Sequence, residues 1–247
     1  MTLLDSYKSQ VEHIQESPKF KPDAAGTRAA VPFPGYSAIT PPAGEDPENA
    51  EIYTNLHECQ QQLLQELNPG AIVPLPADSF HLTVADLIWN SAFRDASSHN
   101  PEFEEQLRQR MADCFAASKS GLAGGPPIRW LVLGWIVMTR AVGVCLAPAD
   151  EYSYKQIVEF RRSIYQNSDL IALGIEQQYH LTAHITLGYF GDIGQDLKRD
   201  RLYTLVSELN DRWLDKPQQL TVKRVELRKF DDMTRYYREP DWPVFEF

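Results

Sequence analysis

Two short segments of the sequence carry the same combination of chemically capable residues. The first is HLTV over residues 81–84, and the second is HITL over residues 184–187. In a strand, successive side chains point to opposite faces, so the histidine and the threonine of each segment share one face. Two such strands lying opposite each other would surround one space with four polar side chains. These candidate catalytic residues are His81, Thr83, His184 and Thr186.

Paired imidazoles and hydroxyls suit displacement of an oxygen at a phosphodiester. One imidazole would remove a proton from the attacking oxygen while the other protonates the leaving oxygen. Histidine suits both roles because its unperturbed pKa of about 6.5 allows both protonation states near neutrality. The threonine hydroxyls would donate to the non-bridging phosphate oxygens, where negative charge accumulates. This chemistry requires neither a metal ion nor a cofactor, and the sequence does not decide which histidine is the acid.

A third match, HLT over residues 180–182, leaves the frame of the second motif open, because His180 and His184 share a face of a straight strand. The LGY sequence that follows over residues 187–189 favours His184. The two histidines also have the i, i+4 spacing of a metal pair on a helix. The β-branched residues between and after them favour a strand instead. No flanking acidic residue completes a helical zinc motif, so we predict no metal site.

The surrounding sequence alternates between strand-like and helix-like patterns in two similar passes. The strand patterns cover residues 36–40, 80–87, 128–138, 141–147, 181–190 and 220–230, and the helical stripes cover residues 52–63, 103–114, 154–165 and 202–213. This alternation predicts an α+β fold with two pseudo-symmetric lobes, each a mostly antiparallel sheet flanked by helices, around a central cleft. Residues 1–34, which contain four prolines and one glycine, are predicted to be an N-terminal lead-in to a single two-lobed domain of residues 35–247.

The paired motifs in two similar halves resemble the signature of the 2H phosphoesterase superfamily, which has one His-x-Thr/Ser motif on each lobe. The resemblance extends from about residue 34 to residue 230, and the segments VPFPG (31–35) and LPADSFH (75–81) look like a bacterial branch of it. It implies that the four motif residues are catalytic. It also implies activity on 2′,3′-cyclic phosphates, on 2′–5′ or 3′-terminal RNA linkages, or on cyclic phosphates of nucleotide-derived sugars. The long spacing between the motifs implies insertions near residues 91–100 and 121–127.

Three further residues are candidates for substrate binding. Tyr36 and Tyr189 could stack on a base or a sugar, although packing in the core or at its rim is the plainer interpretation. Arg228 lies among basic residues of the last predicted strand and could steer a phosphate with its forked donors. A solvated edge strand protected by charge is the alternative there. The alternative function is a binding module that holds a phosphorylated nucleotide or RNA end without cleaving it.

The amino-acid composition restricts the classes of partner that the protein can bind. The 24 basic and 34 acidic residues give a net charge of −10, which argues against coating nucleic acid by bulk electrostatics. The longest strongly apolar run, residues 130–138, is too short for a bilayer, which takes about 20 helical residues. No secretory signal is visible, and three dispersed cysteines form no disulfide framework, as in a reducing cytoplasm. We expect a cytoplasmic monomer whose partner is a small phosphorylated nucleotide-like substrate or an RNA end, with no membrane partner.

Overall fold

Two five-stranded sheets form the framework of the protein in the computed structural model, which describes residues 3–24, 27–178, 180–194, 197–215 and 217–247. The helices are α1 (Leu3–Glu12), α2 (Ala50–Glu66), α3 (Asn90–His99), α4 (Phe103–Leu122), α5 (Glu151–Tyr165), α6 (Ser168–Ile171) and α7 (Arg199–Asp215). The strands are β1 (Phe20–Pro22), β2 (Arg28–Ala30), β3 (Gly35–Ile39), β4 (Ile72–Pro74), β5 (Thr83–Trp89), β6 (Ile128–Val137), β7 (Ala141–Pro148), β8 (His184–Phe190), β9 (Gln219–Val222), β10 (Arg224–Phe230), β11 (Tyr236–Tyr237) and β12 (Val244–Glu246).

Each motif strand lies in a different sheet. The first sheet has the order β11-β10-β3-β5, with β12 also paired to β10, and contains the first motif strand, β5. The second has the order β4-β8-β7-β6-β9 and contains the second motif strand, β8. All strand pairs in both sheets are antiparallel. Helices α3 and α4 pack on the first sheet, α1, α2 and α7 on the second, and α5 contacts both. The predicted α+β fold with two sheet-and-helix lobes is confirmed.

The lobes are not two consecutive halves of the chain. Strand β4 precedes the first motif in sequence, yet it pairs with β8 of the second sheet. The prediction of one strand over residues 220–230 is wrong, because that segment forms β9 beside β6 in the second sheet and β10 beside β3 in the first. The chain crosses from one sheet to the other at Lys223. The alternation of apolar residues continues on both sides of Lys223, so the sequence gives no sign that the strand ends there.

Two segments predicted as insertions have different structures. Residues 90–99 form α3, which packs on β5. The helix buries only Phe93, so its sequence lacks the apolar stripe that identifies a helix. In the segment 121–127, the first two residues belong to the end of α4, and the rest connects α4 to β6.

The segment predicted as a lead-in packs against the second lobe. Helix α1 contacts α7 and β6, and it buries Tyr7 and Val11. The Tyr7 hydroxyl donates to the carbonyl oxygen of Trp135 at 2.8 Å, which ties α1 to β6. The β1–β2 hairpin follows and brings Lys19, just before β1, into the space between the sheets. The domain boundary at residue 34 stays a prediction.

The features inferred from composition have structural counterparts. Cys59 and Cys114 are buried and Cys145 is half-buried, and none of the three forms a disulfide bond. Each therefore acts as a small apolar side chain in the packing. Within the ranges that the structure describes, no helix combines the length and the apolar character needed to cross a membrane.

Candidate active site

A cavity of about 250 Å³ between the two sheets brings the two motifs together. We call it the reaction cavity. The four candidate catalytic residues that line it are His81, Thr83, His184 and Thr186. Their apolar neighbours, Leu82 and Ile185, are buried on the opposite face, as the alternation predicts. Side chains about 100 residues apart in sequence thus face one space.

The two imidazoles are held in the same way. The Nδ1 atom of His81 lies 2.7 Å from the carbonyl oxygen of Ser79, and the Nδ1 atom of His184 lies 2.6 Å from that of Thr182. A carbonyl oxygen only accepts, so each Nδ1 carries a hydrogen and donates it. The Nε2 atom of each ring is therefore the one that exchanges a proton. In both motifs the acceptor stands two residues before the histidine.

The environment of His81 makes it a proton acceptor. Burial lowers the pKa of His81 to about 4, the hydrogen bond to Ser79 opposes that shift, and the charge of His184 adds to it. The ring centroid of His81 lies 4.2 Å from that of Tyr236, which covers one side of the imidazole. At neutral pH this imidazole is therefore uncharged and able to take a proton.

Irregular pairing changes which strand residues face the cavity. Along β5 the register with β3 shifts twice, and the cavity-facing residues are Thr83, Asp86 and Trp89, three apart instead of two. Along β8 one shift against β7 brings Tyr189 to the same side as Thr186. A bulge adds one residue to one strand and so reverses the alternation beyond it. Asp86 and Tyr189 therefore occupy equivalent places in the two lobes.

Asp86 is a cavity residue that the sequence reasoning missed. Strict alternation from Thr83 assigns it to the opposite face, and the only sequence signal is an acidic residue within an otherwise apolar strand. Burial raises the pKa of Asp86, while the charges of His184, Lys19 and Arg161 oppose that shift. The carboxyl group thus lies among three cationic or titratable groups at the centre of the site.

Lys19 is the second residue missed, because it belongs to the segment predicted as a lead-in. Its Nζ atom lies 3.2 Å from the sulfur of Met233 and 3.5 Å from the hydroxyl oxygen of Tyr189. It also lies 4.6 Å from the ring centroid of Phe33 and 5.1 Å from that of Tyr189. Burial lowers the pKa of Lys19 to about 8, and Asp86 opposes that shift. A desolvated ammonium is thereby added to a cavity that the sequence predicted to contain only imidazoles and hydroxyls.

Of the three predicted substrate contacts, only Tyr189 lines the reaction cavity. Tyr36 has no exposed surface, and its hydroxyl donates to Glu104 at 2.5 Å. Arg228 is 1% exposed, and its Nη2 atom donates to Glu226 at 2.5 Å and to Glu45 at 2.6 Å. These contacts correct the expectation for both residues: Tyr36 packs in the core, and Arg228 joins the buried carboxylate of Glu226 to the exposed carboxylate of Glu45. The predicted edge strand is also corrected, because β10 has neighbours on both sides.

The structure also bears on the choice of frame for the second motif. His184 shares the reaction cavity with His81, whereas His180 is exposed and lines an adjoining cavity. Among the side chains that the structure describes, no group of three or more His, Cys, Asp or Glu residues is placed to hold a metal ion.

Comparison with solved structures establishes the fold. The crystal structure of the conserved protein of unknown function ATU0111 from Agrobacterium tumefaciens aligns with a TM-score of 0.63 and 15% identity, over 97% of this chain and 98% of that one. The crystal structure of TT0787 of Thermus thermophilus aligns with a TM-score of 0.47 and 14% identity, over 87% of this chain and 97% of that one. The crystal structure of E. coli LigT complexed with 3′-AMP aligns with a TM-score of 0.44 and 18% identity, over 83% of this chain and 94% of that one. The assignment of the fold rests on the similarity to ATU0111 alone, because the TM-scores of the other two alignments are below 0.5. No family model and no curated protein matches the chain.

Proposed function

We propose that the protein is a phosphoesterase of the 2H type. It would act on a cyclic phosphate or phosphodiester of a nucleotide, an RNA end or a nucleotide-derived sugar. The observation that carries this proposal is the equivalent presentation of two imidazoles in one cavity, each with its Nδ1 atom fixed by a carbonyl oxygen. A site that only binds a phosphate does not need two proton-transfer groups.

Hydrolysis of a cyclic phosphate can be written with these groups alone. The uncharged Nε2 atom of His81 accepts a proton from the attacking water, whose oxygen forms the new bond to phosphorus. The bond from phosphorus to the leaving ribose oxygen breaks, and the protonated Nε2 atom of His184 donates its proton to that oxygen. The hydroxyls of Thr83 and Thr186 donate to the non-bridging oxygens, where charge develops. Exchange of protons with solvent returns both imidazoles to their starting states.

We assign Lys19 to the phosphate in this scheme. Two imidazoles and two hydroxyls carry at most one positive charge between them before the reaction, whereas a phosphodiester brings a negative charge. The ammonium group of Lys19 is desolvated and is placed in the same cavity. Charge-assisted hydrogen bonds of this kind are stronger than neutral ones.

The reaction is tested by offering the purified protein a panel of 2′,3′-cyclic nucleotides and cyclic-phosphate sugars in the presence of a metal chelator. We expect hydrolysis of at least one compound, at a rate that the chelator does not reduce. If the protein binds these compounds and forms no product, the alternative of a binding module is correct. A rate abolished by the chelator and restored by a divalent metal would refute the metal-independent mechanism.

Replacing Lys19 with methionine is expected to lower kcat/KM about 10- to 100-fold, the value of a hydrogen bond to a charged group. The wild-type kcat/KM should also fall as the pH rises through about 8, because the ammonium loses its proton there. Asp86 and Tyr189 face the same ammonium, and the reaction scheme also requires a proton on His184, so the variant is needed to assign this decline. The measurement is a pH profile of kcat/KM from pH 6 to pH 10.

The matched control is Lys21→Met, which removes an exposed lysine from the same hairpin. It should leave both the rate and the alkaline decline unchanged. A Lys19→Met variant with the wild-type decline near pH 8 would contradict the assignment of Lys19 to the phosphate.

The remaining expectations about partners and location are kept as proposals. The substrate is a small phosphorylated compound or an RNA end, the protein is a monomer, and its compartment is the cytoplasm. The lack of disulfide bonds at Cys59, Cys114 and Cys145 is compatible with a reducing compartment.

A further inference from the structure

The reaction cavity continues into a second cavity on the side of α5. This linking cavity, of about 170 Å³, shares Thr83, Asp86 and His184 with the reaction cavity. Its other walls include Arg161 and Tyr165 of α5. The two cavities therefore have the catalytic side chains as a common wall.

A third cavity extends the path to the protein surface. This outer cavity, of about 500 Å³, shares Arg161, Tyr165, His180 and Leu181 with the linking cavity. The three cavities thus adjoin one another in sequence from the paired imidazoles to the outer side of α5. The reaction cavity alone, at about 250 Å³, is smaller than the roughly 300–1,000 Å³ that ligand pockets usually enclose. A substrate larger than this cavity therefore extends beyond it, and the linking cavity adjoins it on the side of α5.

The linking cavity holds a cation next to the catalytic residues. The Nη1 atom of Arg161 donates to the carbonyl oxygen of Val84 at 2.5 Å, and the guanidinium lies 5.1 Å from the ring centroid of Tyr165. The Tyr165 hydroxyl donates to the carbonyl oxygen of Asp86 at 2.9 Å. Both side chains are therefore fixed to the backbone of β5, Arg161 at the last residue of the first motif and Tyr165 two residues beyond it. A guanidinium in this place suits a second phosphate group.

The outer cavity has an apolar floor and a basic rim. The floor includes Leu146 and Ile157, and Tyr154 lies at the edge with 56% of its surface exposed. An exposed aromatic ring beside an apolar floor suits a stacked base.

The charge of the rim is opposite to that of the protein as a whole. The cations Arg161 and Arg162 line the outer cavity; Arg162 pairs with Glu159, but none of the described residues lining the cavity is acidic. The chain as a whole has a net charge of −10. This local excess of cations favours an anionic ligand over a neutral one.

We propose that the outer cavity binds a second nucleotide, so that the substrate is the end of an oligonucleotide. This inference rests on the proposed function for its reacting group. The terminal phosphate lies between the two imidazoles, and the preceding internucleotide phosphate lies against Arg161 in the linking cavity. The preceding nucleoside occupies the outer cavity, with its base on the apolar floor.

Calorimetric binding of two product-like probes tests this site without requiring turnover. The probes are adenosine 3′-phosphate and the dinucleotide adenylyl-(3′→5′)-adenosine 3′-phosphate. The wild-type protein is expected to bind the dinucleotide about tenfold or more tightly than the mononucleotide, as one stacked base and one phosphate contact would give. Arg162→Gln removes a rim cation, and Ala147→Trp fills the cavity from β7. Each should abolish most of this advantage.

The control is Lys155→Gln, which removes a cation from the same helix. Lys155 pairs with Glu151 one turn away, as Arg162 pairs with Glu159, but it does not line the outer cavity. The advantage of the dinucleotide should persist in this variant. Equal wild-type affinity for the two probes, or equal weakening of both by Arg162→Gln and Ala147→Trp, would overturn the inference. If the cyclic-phosphate panel gives no product while the advantage holds, the proposed reaction fails and the second nucleotide site stands.

Discussion

Alanine at position 81 or 184 is expected to lower kcat about 10²- to 10⁴-fold, the usual contribution of one general acid or base. Each substitution removes a group that accepts or donates a proton in the transition state and leaves the rest of the cavity in place. We expect KM to change much less than kcat. The two histidines act as a unit, so the double variant should be about as slow as the slower single variant.

The pH dependence of kcat/KM tests the role of His81 as the general base. Because the pKa of His81 is lowered to about 4, this imidazole stays an uncharged proton acceptor down to that pH. Protonation of His81 should therefore lower the wild-type kcat/KM only as the pH falls through about 4.

His99→Ala is the control for the two alanine variants. It removes an exposed histidine of α3 outside the cavity and should keep full activity. A His81→Ala or His184→Ala variant with more than half of the wild-type kcat would eliminate the paired-histidine mechanism.

The second large effect concerns stability. Replacing Arg228 with methionine is expected to lower the free energy of unfolding by about 3–5 kcal/mol, the usual cost of breaking a buried ion pair from one side. Glu226 is 3% exposed and accepts from Arg228 at 2.5 Å and from the partly exposed Arg224 at 2.8 Å, so the variant removes the buried one of its two cationic partners. Urea denaturation followed by circular dichroism measures the loss.

Lys223→Met is the matched control, because Lys223 pairs with Glu48 at the surface. Exposed ion pairs contribute about 0–1 kcal/mol, so this variant should unfold almost like the wild type. Replacing both Arg228 and Glu226 with apolar residues should recover part of the loss, since no single buried charge then remains. A loss below about 1 kcal/mol in Arg228→Met would contradict this prediction and show that Arg224, the remaining partner of Glu226, is enough to compensate the carboxylate.

The sequence was sufficient for the centre of the site and for the class of fold. The alternation of polar and apolar side chains in residues 81–84 and 184–187 correctly placed both histidines and both threonines on one cavity. It failed at Asp86, because the alternation reverses at a bulge, and a bulge depends on pairing with a neighbouring strand. Lys19 was out of reach for a related reason: it is brought to the cavity by the tertiary packing of a segment with no motif of its own.

The burial of Arg228 could not be predicted from the sequence either, because it also depends on tertiary contacts. Arg228 was interpreted as a substrate contact or a surface charge because the apolar pattern around it gave no sign of burial on both sides. Its burial follows from β11 and β12, two short strands that the sequence did not predict and that pair with β10. The carboxylates that hold it, Glu45 and Glu226, lie far apart in sequence. Partners of this kind are identified only after the chain has folded.

The crossing at Lys223 has a mechanical consequence for the cleft. A single residue joins β9 of one sheet to β10 of the other, and consecutive Cα atoms are only about 3.8 Å apart. At this edge the sheets cannot separate unless one of the two strands leaves its ladder of hydrogen bonds. Any relative motion of the two lobes should therefore pivot at this edge, and β5 and β4, the strands farthest from it in the two sheets, should move most.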